Sequence, residues 1–295
     1  MNNWLKIALL SVLPMLGHAH TMSPYLIPDV FDASSNNISF QSGVTVEKFY
    51  VPTVNFKTSY VVTDPTGKQT PVEAAGQLKR FSVGEFDLSV DGTYRIRTQD
   101  ATGNPTKYAQ VDGRWLRVRP ARPANAAAMP AKPMTAQPAK AAAAPAQPPR
   151  AITADQVPAN APTLEVANHF IAETFVSKNK PSAIAAPTNK GFELKFISHP
   201  NELFAGESFK AQLLLDGKAL PNVEVDVFKG ASSYQAGANR EQPSVNSNKK
   251  GEFEINFNEA GIYLIAISYP EANPDNTQKP AAANYTYSLS VEVSE

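Results

Sequence analysis

The chain has 295 residues, with 27 Lys plus Arg against 27 Asp plus Glu, and it contains no cysteine. The balanced charge excludes the basic surface that attracts nucleic acid or an anionic membrane. The lack of cysteine excludes disulfides, thiolate metal sites and cysteine nucleophiles. The length predicts two domains at about 150 residues per domain, each held together by apolar burial.

The first 19 residues are typical of a secretory signal peptide. Lys6 supplies a positive start, residues 7–16 are mainly apolar, and the small residues Gly17 and Ala19 precede the expected cut. This apolar run is about half of the roughly 20 residues that a membrane-spanning helix needs. No later segment is long and apolar enough to span a membrane either. We therefore expect cleavage after Ala19 and export to the periplasm. The alternatives are a buried N-terminal helix and an uncleaved anchor.

Residues 20–118 are predicted to form a β-sandwich domain. Short runs of β-branched and aromatic residues alternate with turn sequences, as in a sandwich. Residues 64–67 read Asp-Pro-Thr-Gly, in which Pro presets φ and Gly accepts a positive value. Asp-Gly pairs at 91–92 and 112–113 each precede another strand of alternating apolar and polar residues.

Residues 119–163 are predicted to be a disordered linker rich in Ala and Pro. Proline recurs too often for a helix to propagate. Large apolar side chains are too few to offset the entropy of ordering the chain. We expect a semi-extended segment between two domains, and the alternative is a spacer that crosses part of the cell envelope.

Residues 164–295 are predicted to form a second β-sandwich of the immunoglobulin-like class. Asp216-Gly217 predicts a hairpin turn, and Lys250-Gly251 predicts a turn into the next alternating strand. The best helix candidate is the segment 164–175. It fits equally well a strand with Phe170, Ala172 and Thr174 on one side. The predicted fold class is therefore all-β, with two sandwiches joined by the linker.

Several groups of residues resemble a known family. They are Ala19-His20 followed by Tyr25 and Pro28, the strand start at residues 91–95, the hairpin at 215–225, and the segments 250–253 and 259–264. These groups are similar to a bacterial periplasmic family of unknown function that was formerly labelled nickel-uptake (NikM-like). The resemblance implies a role in transition-metal uptake or homeostasis, with an envelope transporter or receptor as partner. It covers both predicted domains and leaves out the linker.

His20 is the leading candidate metal ligand. Cleavage after Ala19 would make it the first residue, and its α-amino group and Nδ1 would then chelate a copper ion. His199 and then His169 are the candidate second imidazoles, and the resemblance adds nickel or cobalt as the ion. In the competing interpretation His20 is an ordinary chain end, His199 a turn residue and His169 a strand-edge residue.

Nothing in the sequence singles out a catalytic site. It contains no nucleophile elbow, Walker loop or dinucleotide fingerprint. We therefore expect a non-catalytic periplasmic binding or accessory protein, without a membrane span in the mature chain and without a nucleic-acid partner. One alternative is an envelope interaction or scaffold module that binds no metal. Another is a carbohydrate-binding sandwich, in which aromatic residues such as Tyr25, Phe31 and Trp115 would line a groove.

Overall fold

The computed structural model describes residues 22–46, 52–99, 101–121, 151–230, 241–271 and 276–295. The predicted signal peptide, His20 and residues 122–150 of the predicted linker lie outside this part. The described residues form strands, loops and one 3-10 turn, Ala154–Gln156, so the all-β prediction is confirmed. Among the same residues, no helix is long and apolar enough to cross a membrane.

The strands fall into three sheets. The first outer sheet has the order β1-β3-β7-β6, formed by β1 (Met22–Pro28), β3 (Asn37–Val46), β7 (Phe81–Asp87) and β6 (Gly76–Gln77). The second outer sheet joins β13 (Phe192–Phe196), β14 (Ser208–Leu215) and β15 (Lys218–Ala219), with β18 (Glu252–Asn256) paired to β14.

The central sheet is the largest, with the order β11-β10-β9-β12-β20-β19-β16-β17. These strands are β11 (Ala151–Thr153), β10 (Arg114–Arg119), β9 (Ala101–Val111), β12 (Thr163–Lys178), β20 (Ala283–Val293), β19 (Gly261–Tyr269), β16 (Glu224–Lys229) and β17 (Glu241–Asn246). The short β2 (Asp32–Ala33) and β8 (Gly92–Thr98) also pair with β12, and β4 (Tyr60–Thr63) joins β8 to β5 (Gln69–Val72).

Strand β12 is covered on both faces, because residues 171–177 are buried without interruption. A strand exposed on one face would alternate instead. Ile171 and Phe175 enter a core built with the second outer sheet. Ala172 and Val176 enter another core, built with the first outer sheet. The central sheet is therefore the middle layer of three.

The two cores have different members. The core on the side of the second outer sheet includes Phe192, Leu194, Phe209, Leu213, Val225, Phe253, Ile265, Tyr287 and Leu289. The core on the side of the first outer sheet includes Leu26, Ile38, Phe40, Tyr60, Val62, Leu88, Tyr94 and Ile96. A small third cluster lies between β1 and β19, formed by Tyr25, Ile27, Phe31 and Leu264.

The structure does not confirm two separate sandwiches. All of β12 after Thr163 belongs to the predicted C-terminal domain, yet Leu164 lies opposite Tyr108 of β9, and Phe175 lies opposite Arg95 of β8. Its other edge pairs in parallel with β20. One sheet thus crosses the predicted boundary. Periodicity shows that a segment is a strand, and it does not show which distant strands become its neighbours.

The predicted linker is too long at its C-terminal end. Residues 151–153 form β11, which pairs in parallel with β10 through Arg117 and Ala151, and residues 154–156 form the 3-10 turn. The prediction of disorder is wrong for these residues. Below, the N-terminal half means the described residues up to 121, and the C-terminal half means those from 151 onward.

The Asp-Gly turns at 112–113 and 216–217 and the strand interpretation of residues 164–175 are confirmed. Asp216 and Gly217 have φ values of 49° and 74°, and Asp112 and Gly113 have 50° and 75°. Consecutive positive φ values are those of the tight hairpin turns that Asp-Gly favours. In residues 64–67, Asp64 Oδ1 accepts the Thr66 amide at 2.8 Å, and this side-chain bond fixes the turn.

Candidate functional site

Three charged side chains meet where β8 and β12 pair, and we call Arg95, Arg97 and Glu173 the junction cluster. Arg95 and Arg97 are two residues apart on β8, so both point to the face of the sheet on which Glu173 lies. Arg95 Nε donates to Glu173 Oε1 at 3.0 Å, and its Nη2 donates to Oε2 at 2.9 Å. Arg97 Nη1 also donates to Oε2, at 2.9 Å.

Glu173 is fully buried and remains ionised. Burial by itself raises the pKa of Glu173, but the charges and hydrogen bonds of Arg95 and Arg97 outweigh that effect and hold the pKa below its usual value. Burial is the largest single effect on Arg95 and lowers its pKa, but the charge and hydrogen bonds of Glu173, with smaller effects of Tyr287 and Glu193, together leave the pKa above its usual value. Two guanidinium groups against one carboxylate give the cluster a net charge of +1.

The junction cluster also reaches the second outer sheet. Arg97 Nη2 donates to the carbonyl oxygen of Phe192, the first residue of β13, at 2.8 Å. The hydroxyl of Tyr287 lies on the same side of the central sheet, and burial followed by the nearby Glu173 charge raises its pKa well above the usual value. The cluster therefore connects β8, β12 and β13.

A cavity of about 300 Å³ lies beside the cluster, and we call it the junction cavity. Its lining comes from both halves: Thr63, Asp64, Pro65, Thr66, Gly67, Thr93, Arg95, Phe175, Ala183, Ile184 and Ala185. Pro65, Phe175 and Ile184 make its walls largely apolar. Gly92 allows the halves to approach here, because a Cβ at this position would lie 2.6 Å from Ser182 Oγ and 2.9 Å from Pro65.

One end of the Arg95 guanidinium is free for a ligand. Nε and one Nη2 hydrogen are used by Glu173. Within the described part of the chain, no protein atom accepts from Nη1. The side chain is 16% exposed, and Arg95 lines the junction cavity. This leaves a pair of parallel N–H donors, one on Nη1 and one on Nη2.

His199 is part of a hydrogen-bond network at the same junction. Its Nδ1 accepts the Asn201 amide at 3.1 Å, so the ring proton is on Nε2, which lies 2.9 Å from the carbonyl oxygen of Ser182. Nε2 also lies 3.2 Å from Thr93 Oγ1. Both ring nitrogens are therefore engaged, and His199 would have to give up these bonds to bind a metal ion.

His169 lies elsewhere, on the part of β12 that pairs with β9 and β20. Its ring stacks on Tyr285 with centroids 4.7 Å apart, and its buried Nδ1 has no hydrogen-bond partner among the residues that the structure describes. Across the described ranges, no group of three or more His, Cys, Asp or Glu side chains is placed to hold a metal ion. The proposed role of His20 stays a prediction, because that residue is outside these ranges.

The junction cluster and the junction cavity were not predicted from the sequence. Two signals were present. Glu173 interrupts an apolar run in β12, and Arg95 and Arg97 occur with period two on a strand in which the neighbouring Tyr94 and Ile96 are apolar. A carboxylate in a buried strand requires a cationic partner.

Comparison with known proteins identifies the family. The family described as "Domain of unknown function (DUF4198)" matches residues 17–271. This chain belongs to that family. The DUF4198 match includes every residue of the junction cluster and the junction cavity. The family description carries no nickel-uptake role, so the finer label that the sequence resemblance suggested has no support from it.

Known structures resemble the chain only remotely. The D0-D1 domain of intimin has 9% identity and a TM-score of 0.22, and the alignment covers 92% of this chain and 97% of that one. The fibronectin(III)-like modules of Clostridium thermocellum CbhA have 11% identity and a TM-score of 0.19, with 91% and 94% covered. Salmonella alpha-2-macroglobulin has 9% identity and a TM-score of 0.22, with 92% and 15% covered. No curated protein matches this chain.

Proposed function

We propose that this DUF4198 chain is an exported, non-catalytic binding or accessory protein of the cell envelope. The observation that supports this most directly is that the residues connecting the two halves are distinct from the accessible cavity beside them. Glu173, Arg97 and His199 hold the two halves together, while the junction cavity beside them stays open and presents one free end of Arg95.

The electrostatics of the junction also favour binding over catalysis. A general base needs a proton affinity near the working pH. The two guanidinium groups hold the pKa of Glu173 below its usual value, so this carboxylate is a poor proton acceptor. His199 Nδ1 already accepts a backbone amide. The ionisable groups beside the cavity are thus suited to positioning a ligand.

The binding role is tested by comparing two preparations of the mature chain. One is isolated from the periplasm without denaturation, and the other is unfolded and refolded alone. We expect native mass spectrometry to find a bound small molecule or protein in the first preparation only. Adding a periplasmic extract should raise the melting temperature of the second. Equal masses, with no rise from any extract fraction, would contradict the proposal.

Export is a separate part of the proposal and rests on residues 1–19. Fractionation of the producing cells with N-terminal sequencing tests it. We expect the protein in the periplasmic fraction with His20 as its first residue. A cytoplasmic protein that begins at Met1 would contradict export.

The metal-binding form of the function depends on His20. His20→Ala, or one additional residue before His20, is expected to abolish tight Cu(II) binding measured by calorimetry. His199→Gln is the control, since both nitrogens of His199 are engaged within the protein. Equal affinity for Cu(II) in the wild type and in both altered N-termini would show that His20 is not a copper ligand.

The scaffold alternative agrees with the same structure, since a three-layer body with exposed sheet edges suits an interaction module. Metal content separates it from the metal-binding form. Protein from periplasm that carries no copper, nickel or cobalt, and that gains no thermal stability from these ions, favours the scaffold. A groove lined by Tyr25, Phe31 and Trp115 has no support, because all three side chains are buried.

A further inference from the structure

The shape and charge of the junction cavity suggest the class of ligand. The two N–H donors at the free end of Arg95 are parallel and coplanar, as in every guanidinium group. Two oxygens of one planar carboxylate match such a pair, and these charge-assisted bonds are among the strong ones. Glu173 uses the other side of the same group in this way.

We propose that the junction cavity binds a small organic monocarboxylate. Its carboxylate lies on Nη1 and Nη2 of Arg95, and its hydrocarbon body packs against Pro65, Phe175 and Ile184. This inference rests on the proposed binding function and names its ligand class.

The charges near the cavity favour a single negative charge. The formal charges of the junction cluster sum to +1, and the charge of the buried Glu193 also acts on Arg95, so the surroundings tolerate at most one added negative charge. Asp64 also lines the cavity, and hydrogen bonds from Thr66 and Lys68, led by the Thr66 hydroxyl, lower its pKa, so Asp64 stays negative. The charge of Asp64 repels a dianion such as phosphate more strongly than it repels a monocarboxylate.

The apolar walls of the cavity favour a carboxylate with a hydrocarbon body over an inorganic anion. Phe175 and Ile184 are apolar, and Ile184 packs against the core of the second outer sheet. Contact with a hydrocarbon body removes apolar surface from water, which a hydrated inorganic anion does not do. A cavity of about 300 Å³ is at the small end of the range for organic ligands.

Calorimetry on the mature chain tests the proposal with hexanoate and benzoate as ligands. Hexanamide, benzamide and inorganic phosphate are the comparison ligands. We expect the two carboxylates to bind, and each amide to bind about tenfold more weakly or not at all, because a neutral amide lacks the charge-assisted pair. Equal binding of acid and amide, or preferential binding of phosphate, would overturn the proposal.

Neighbouring alanines provide matched variants that leave the junction cluster intact. Both alanines are exposed, and only Ala185 lines the cavity. Ala185→Trp should abolish carboxylate binding by filling the cavity, and Ala186→Trp should bind as the wild type does. Loss in both variants, or in neither, would place the binding elsewhere. Circular dichroism confirms that each variant is folded.

The experiments distinguish a wrong ligand class from a wrong binding function. If native mass spectrometry finds a bound ligand or partner but neither carboxylate binds, the ligand class is wrong and the binding function stands. If both carboxylates bind to the wild type and not to Ala185→Trp, the cavity assignment stands whether or not a ligand survives purification.

Discussion

Phe175 and Val176 are consecutive residues of β12, yet their side chains enter different hydrophobic cores. One core is built with the second outer sheet and the other with the first. Strand β12 therefore joins the two halves, and a change on either face of it is expected to affect the stability of the whole described body.

The junction cluster is expected to contribute strongly to stability. Glu173→Gln removes the buried carboxylate that accepts from both Arg95 and Arg97, and breaking a buried ion pair in this way typically costs about 3–5 kcal/mol. Urea unfolding measures the loss. Glu254→Gln is the control, because Lys210 and Glu254 form an exposed pair 3.3 Å apart. A loss as small as that in the control would show that the cluster is energetically unimportant.

The same carboxylate predicts a dependence on acid pH. The folded state holds the pKa of Glu173 below its usual value, so its contribution is present above the unfolded pKa of about 4.3 and is lost as the pH falls. Glu173→Gln should therefore make the acid limb of a plot of stability against pH shallower. An unchanged acid limb would contradict this assignment of charge.

At alkaline pH, Tyr25 is expected to limit stability. Burial raises its pKa from 10.0 to about 12, against a smaller opposing effect of the Gln41 hydrogen bond. A raised pKa means that the contribution is complete below pH 10.0 and is lost as the pH rises towards about 12. Tyr25→Phe should reduce the loss measured between those values. Tyr60, Tyr263 and Tyr287 also have raised pKa values and contribute to the remainder.

Asn201 provides a second connection between the halves. Its Nδ2 lies 3.1 Å from the carbonyl oxygens of both Phe31 and Phe175. Asn201→Ala removes both bonds and should cost about 1–3 kcal/mol in urea unfolding. Asn201→Asp should cost more at neutral pH, because an ionised carboxylate cannot donate to these carbonyl groups. A milder effect for Asp than for Ala would contradict the assigned bonds.

Local sequence signals predicted much of the secondary structure. The Asp-Gly turns at 112–113 and 216–217 form where they were expected, because their chemistry is set by the two residues themselves. The alternation in β16 places Val225 and Val227 in one core, as period two requires. These features depend on neighbours in sequence.

Long-range pairing could not be predicted in the same way. Nothing in residues 163–178 specifies that β12 will pair in parallel with β20 and antiparallel with β9. Glu173 appeared to be one polar residue among several, and its role became clear only when β8 placed Arg95 and Arg97 beside it. The junction cavity depends on segments more than 100 residues apart, for example Asp64 and Ala185.

The central claim is that β12 makes one cooperative body from the two halves, and one unfolding experiment tests it. Leu26→Ala and Leu213→Ala each remove a buried side chain, from the cores of the first and second outer sheets respectively. Each should cost about 2–5 kcal/mol. In the predicted mature chain Trp115 is the only tryptophan, and it lies in the N-terminal half.

We predict that Leu213→Ala shifts the urea transition seen by Trp115 fluorescence as far as it shifts the transition seen by far-UV circular dichroism. Leu26→Ala should likewise shift both signals together. A Trp115 transition that stays at the wild-type urea concentration in Leu213→Ala, with an earlier separate step in circular dichroism, would contradict the claim.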